Sequence, residues 1–417
     1  MRVVCFLSIF FVSSIAFAQA MSQPFTQSNP ITPFEPLQII AKVRENYPEL
    51  AVLQAEATAA QLRTPQAGAL EDPRFTVMPN FINPAIKGQG EVEFWVKQAL
   101  PGPGNRGLRA KVATRSAEAA ALAVVESQRT AEQLAWVSIA TILALDKELE
   151  VINLHFSFVD AITEAAELSY ATRRATLSEV LSAQTMRIEL ERRQLEIKGE
   201  RAGEVAMLNF LMGLPVSTQL ATAQPTPLLP VVSSLGELLL RANARPSYQA
   251  SATRLEAANA QVELARKERQ PDYEVGVALM PQFDGTLQFG AFVEVMAPIY
   301  RKNKQDKALE EATAMAEAEE ARLLVEQATI AKEVSKSYTT YISMLAQVEL
   351  IETRLTPTAK LTYDAALTAY QSNQTTISEV LQAEIELLHL EIMLQQMRSE
   401  ALIARANLEA AVGGEVK

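Results

Sequence analysis

Two histidines, His155 and His389, and one cysteine, Cys5, are the side chains of this 417-residue chain best suited to catalysis or metal binding. His155 falls inside a helical run with no neighbouring acid or histidine at ligand spacing, and His389 lies in another with no second histidine there, so neither a metal site nor a nucleophile–base pair is expected. Gly102 and Gly104 are not followed by the Gly-Lys-Ser/Thr of a phosphate loop. The acid pairs Glu310-Glu311 and Glu319-Glu320 suit a solvated helix face. No catalytic residue, metal ligand or cofactor is expected, and the chain does not read as an enzyme.

Hydroxyl and carboxylate groups recur together in another way. Tyr170 to Ala183 reads YATRRATLSEVLSA, and Tyr370 to Ala383 reads YQSNQTTISEVLQA, 200 positions later. Gly213 and Gly413 share that spacing, as Pro48 and Pro246 nearly do, so a domain-sized unit is duplicated. Thr176 with Glu179, and Thr376 with Glu379, have the T-x-x-E form of a capping box, in which hydroxyl and carboxylate satisfy backbone N–H groups at a helix start. Each stretch therefore predicts the tip of a helical hairpin: a helix ending near Tyr170 or Tyr370, a turn in which Asn373 tolerates a left-handed conformation, and a new helix at Thr176 or Thr376. The alternative is a kink in one long helix.

The elements that hold these tips follow from periodicity. Arg2, an apolar run to Phe17 and Ala16-Phe17-Ala18 predict an export signal over residues 1–18, too short to span a membrane as a helix. Its removal would take away Cys5, and with Arg2 would move the net charge from −11 to −12, which argues against nucleic acid. Residues 19–36 read as an extended leader. The first repeat covers 37–215, with a helix, a β-hairpin over 73–100, a long helix, a tip at 170–176 and a returning helix. A linker at 216–234 leads to the second repeat, 235–414, with its hairpin at 272–297 and tip at 370–376.

From Asn105 to Leu214 there is no proline, and from Leu108 to Lys198 no glycine; from Ile299 to Val412 there is no glycine, and Pro357 is the one proline. Apolar stripes of partly heptad spacing (Ile139, Ile142, Leu149, Ile152, Phe156, Val159; Val334, Tyr338, Tyr341, Leu345, Val348, Leu355) predict nearly parallel helix packing. In the hairpins, Val92, Phe94 and Val96 alternate with charge, and Tyr273, Val275, Val277 and Leu279 share a face with Leu287, Phe289, Ala291, Val293 and Val295 on the partner strand. Four such strands are too few to close a membrane barrel, for which about eight is the minimum. If they enter a bilayer, several chains must share one barrel. The competing possibility is a soluble periplasmic coiled-coil protein, such as an adaptor.

Taken in order, these features resemble the TolC-type outer-membrane efflux family over nearly the whole mature chain. The resemblance rests on the tandem repeat, the Asp72-Pro73 strand–loop–strand–proline segment, Tyr-x(7)-S-E-V-L at both tips and LNFLMGLP over Leu208 to Pro215. The stretch QALPGPGNR, Gln98 to Arg106, is most similar to members serving metal or small-molecule pumps. The resemblance implies a mainly α fold with a small β part. Three chains would form a twelve-stranded outer-membrane barrel continued by a periplasmic α-helical barrel. It further implies a passive gated duct whose tips, here Arg173, Arg174, Asn373 and Thr375, dock on a periplasmic adaptor of an inner-membrane pump.

Gate residues carry over only where they match. Glu379 stands at the acidic tip position, where three chains would form a ring of carboxylates, whereas Gln382 replaces a second acid found in some members. Tyr370 and Glu179 match residues that tie neighbouring tips shut, but Thr375 replaces the expected arginine, and Arg173 and Asn373 replace tip glycines.

Overall fold

A computed structural model describes residues 35–80, 91–222, 224, 226–283 and 285–416. The expected export signal, most of the leader and the loop of the first hairpin lie outside the described residues. The chain runs through α1 (Pro36–Asn46), α2 (Pro48–Gly68), β1 (Arg74–Asn80), β2 (Glu91–Leu100), α3 (Asn105–Ala171) and α4 (Leu177–Leu211). The same order then repeats as α5 (Leu235–Ala242), α6 (Pro246–Lys267), β3 (Asp272–Pro281), β4 (Leu287–Met296), α7 (Gln305–Leu350), α8 (Thr356–Gln371) and α9 (Ile377–Val412).

The unbroken α3, 67 residues long and so about 100 Å, is the spine of the molecule. Helices α1, α2, α4, α6 and α9 pack along it, and α7 lies against α5, α6 and α9. Proline sets the breaks. Pro48 and Pro246 each occupy the first turn of a new helix, where no N–H is required, so α1 gives way to α2 and α5 to α6. Pro357 acts differently. It cannot donate to the carbonyl of Thr353, and the backbone absorbs the missing bond as a π-turn over Ile351–Leu355 between α7 and α8. The widened turn shifts the apolar stripe. Leu355, expected in the core, is 42% exposed, and Ile351, Ala359 and Tyr363 are buried in its place.

Three apolar clusters run down the helices. One lies toward the tips (Ile152, Val159, Val180, Ile197, Val380, Leu387), one joins α1 to α3 and α4 (Ile39, Val43, Ile139, Leu208, Leu211), and the third is its counterpart in the second repeat (Leu238, Val334, Tyr341, Leu408). The segment after α4 is pinned by polar contacts. Asn209 Nδ2 donates to the carbonyls of Val216 and Thr218, and the Tyr341 hydroxyl donates to Leu229 O at 2.5 Å.

The strands form one antiparallel sheet in the order β1-β2-β3-β4, so the two hairpins join through β2 and β3. The register pairs Val77 with Phe94, Val96 with Val277, Val277 with Ala291 and Val275 with Val293, which gathers the apolar residues on one face. That face is uncovered: Phe75 is 75% exposed, Phe289 77% and Val293 69%. The opposite face carries Glu93, Lys97, Glu274 and Glu294 beside Trp95 and Phe292. There Trp95 and Phe292 meet edge-on, and the Lys97 ammonium lies 5.2 Å from the Phe292 ring. Gly276 leaves room for that ring, since a Cβ there would lie 2.1 Å from Phe292. No helix among the described residues is long and apolar enough to cross a membrane.

Candidate functional site at the helical tips

Each tip is a helix end that must satisfy its last carbonyls and reverse direction within five residues. After α3, Arg173 adopts φ 59°, and the N–H of Arg174 donates to Ser169 O at 2.8 Å. After α8, Asn373 adopts φ 58°, and the N–H of Gln374 donates to Ala369 O at 2.8 Å. The two turns have the same backbone construction, with non-glycine residues in the left-handed position that a tip glycine would fill.

The helix starts differ. At Thr176 the box is complete: its hydroxyl accepts from Glu179 N–H at 3.3 Å, and the Glu179 carboxylate accepts from Thr176 N–H at 2.7 Å. At Thr376 there is no side-chain cap, which corrects the expectation of two equal boxes. Thr375 stands where the first repeat has Ala175, and its hydroxyl donates to the Glu379 carboxylate. One extra hydroxyl thus diverts the acid that would otherwise reach back to the backbone.

Tyr370 links the repeats: its hydroxyl lies 2.6 Å from that of Ser169 near the end of α3. Sequence alone identified Tyr370 but not its partner, because Ser169 aligns with Ala369 and belongs to no motif. Tyr370→Phe should cost about 1 kcal/mol of tip stability, read as faster hydrogen exchange of the amides around 170–175. Unchanged exchange would mean that the bond does not hold the tip. Arg173, Arg174, Asn373, Glu379 and Gln382 are exposed, whereas Glu179, Thr375 and Tyr370 are half-buried.

Further along the same helices the structure departs from the sequence reading. His155 is fully buried between α3 and α9, with Nδ1 2.5 Å from Glu384 and Nε2 3.0 Å from Glu391. Burial alone would lower its pKa, but hydrogen bonds and charge from both glutamates outweigh that and raise it to about 9. The acids missing along the chain are supplied by tertiary packing from more than 200 residues away. His389 is exposed on α9. Among the described residues no cluster of three or more His, Cys, Asp or Glu is arranged to hold a metal.

The sequence model of a family described as outer membrane efflux protein matches residues 239–414, the second repeat that carries β3, β4 and the second tip. The second repeat is thus similar to the outer membrane efflux protein family. The chain's fold is shared with solved channels. The outer membrane protein VceC of Vibrio cholerae is 19% identical with a TM-score of 0.78, over 92% of this chain and 97% of that one. CusC, described in relation to folding and transmembrane channel formation, is 15% identical with a TM-score of 0.81, over 95% and 96%. The open state of the Neisseria gonorrhoeae outer membrane channel MtrE is 14% identical with a TM-score of 0.69, over 92% and 89%. No curated protein matches in sequence. The family match and the shared fold support an outer-membrane efflux duct reaching into the periplasm over a soluble adaptor.

Proposed function

We propose that this protein works as a homotrimer, a passive gated duct for metal ions or small toxic molecules delivered by an inner-membrane pump through a periplasmic adaptor. The four-stranded sheet carries this reading. Its outer face is apolar and exposed, and β1 and β4 are edge strands with no further partner among the described residues. A bilayer tolerates neither open edges nor four strands alone, and three copies give twelve, enough to close. In this reading the helices form the periplasmic tunnel, and the exposed Arg173, Arg174 and Asn373, with Thr375 beside them, meet the adaptor. The mass and fraction of the protein extracted from outer membrane in mild detergent test it. A trimer is expected, and a monomer confined to soluble periplasm would end the proposal.

At the mouth, Glu379 would form a ring of three carboxylates, weakened by Gln382 one turn on. Glu379→Gln should lower the cation-to-anion permeability ratio in bilayer recordings by about threefold, the scale of one unit charge at several ångströms in water, with trimer assembly intact. An unchanged ratio would leave Glu379 only as the partner of Thr375. Tyr370 with Ser169, and Glu179 with Thr176, would hold the tip in shape around that ring.

A further inference from the structure

The seam between α3 and α9 is heptad-like on both sides. On α3 it runs Ile152, His155, Val159, Ile162 and Ala166, and on α9 Val380, Glu384, Leu387, Glu391 and Leu394. Three polar residues therefore occupy positions of an otherwise apolar seam, and His155 bonds to both glutamates. Glu384 and Glu391 are one heptad apart, about 10 Å along α9, and the imidazole sits between them with one nitrogen toward each. The other oxygen of Glu384 is buried without a hydrogen-bond partner, and among the described residues His155 is the counter-charge that pairs with it. The cluster occurs once among the described residues: Glu191 keeps the position of Glu391, but Leu355 and Gln184 stand where the repeat would place counterparts of His155 and Glu384.

An apolar seam alone can slide by a heptad, since one aliphatic residue takes the place of another. With the cluster present, a slip in either direction leaves one imidazole nitrogen unpaired and one carboxylate without its cation. We propose that His155 is the positioning residue that fixes the axial register of α9 against α3, and through it the place of Glu379 and Gln382 at the tip. The register assignment stands on this geometry; its consequence for gating rests on the channel reading above.

The surroundings suit a charged imidazole. From α8, Tyr363 faces the cluster, its phenol pushed up by burial and by the Glu384 charge. From α3, the Phe158 ring lies edge-on at 5.4 Å. On α4, Arg187 and Arg193 are engaged by Asp160 and Glu148. With its pKa raised from 6.5 to about 9, the folded protein holds the His155 proton roughly 300-fold more tightly than the unfolded chain. This contribution to stability is complete below pH 6.5 and is lost as the pH rises through about 9.

Two measurements on the full chain in detergent test the assignment. The side chains of Gln133 on α3 and Asn407 on α9 meet at 2.7 Å, so the pair Gln133→Cys/Asn407→Cys reports register by its disulfide yield, with Cys5 the only native cysteine. That yield should be high with the native cluster and several-fold lower with His155→Gln. His155→Leu/Glu384→Leu/Glu391→Leu guards against simple unfolding: its denaturation midpoint should match the parent's or exceed it, while the disulfide yield still falls. Parental yield in the triple variant would overturn the proposal.

The second measurement is the denaturation midpoint against pH. It should fall from pH 6.5 to 9.5 in the parent and lose that slope in His155→Gln; an unaltered slope would overturn the proposal. A protein that passes both tests but forms no conducting trimer would remove the channel reading and support the register assignment.

Discussion

Val277→Arg is expected to keep the protein out of the outer membrane. Val277 lies mid-strand in β3, 60% exposed, paired with Val96 on one side and Ala291 on the other, at the centre of the apolar face. An arginine on the lipid face near the bilayer midplane costs about 2–4 kcal/mol, and a barrel of three copies would carry it three times. The variant should be recovered as misassembled or soluble chain when membranes are sedimented. The control is on the other face. Glu294 sits directly across from Glu274, and like charges at opposed positions are unfavourable, so Glu294→Lys should leave insertion unchanged or improve it. If Val277→Arg inserts at the parental level, the outward face of β3 does not meet lipid and the shared-barrel reading is wrong.

Which parts of this architecture were legible without coordinates follows from the range of the forces involved. Alternation in 272–297, the proline punctuation at Pro48 and Pro246, and the tip signatures are local rules, and the backbone obeys them. The sheet could be read strand by strand because period-two patterning assigns each side chain a face whichever strands pair. Where two local rules compete, the reading failed. Thr375 adds a second hydroxyl beside Glu379, and only the folded geometry shows which of the two the carboxylate prefers. Pro357 was visible, but its effect on phase was not. A proline can kink a helix, end it or widen one turn, and the π-turn that appears moves Leu355 outward.

His155 failed for a different reason. Its partners lie 229 and 236 residues away, so no spacing rule along the chain reaches them. A signal was nevertheless present. Glu384 and Glu391 interrupt the 4-3 apolar pattern of α9 in phase with it, and His155 does the same on α3. Charged residues placed on a seam, rather than beside it, call for partners across that seam.

Gly213→Ala is expected to be severe and Gly413→Ala mild, although the repeat makes the two glycines equivalent. Both end a returning helix in the left-handed region, φ 66° and 81°, with the next residue's N–H donating back five residues, Leu214 to Asn209 and Gly414 to Glu409. Alanine pays about 1–2 kcal/mol for that conformation at either site. Their neighbours differ. A Cβ at Gly213 would lie 2.8 Å from the backbone oxygen of Asn46, at the end of α1. That oxygen can retreat only if α1 moves, and Ile39, Ile40 and Val43 hold α1 in the core with Leu208, Leu211 and Met212. At Gly413 the nearest atom is Nη1 of Arg129 at 3.3 Å, the end of a flexible side chain that can swing aside. Gly213→Ala should therefore destabilise by about 3 kcal/mol or more and Gly413→Ala by about 1–2 kcal/mol, read as shifts of the guanidinium midpoint. Equal shifts would mean that α1 yields freely, and then the first helix would be a loose strap on α3 rather than part of its core.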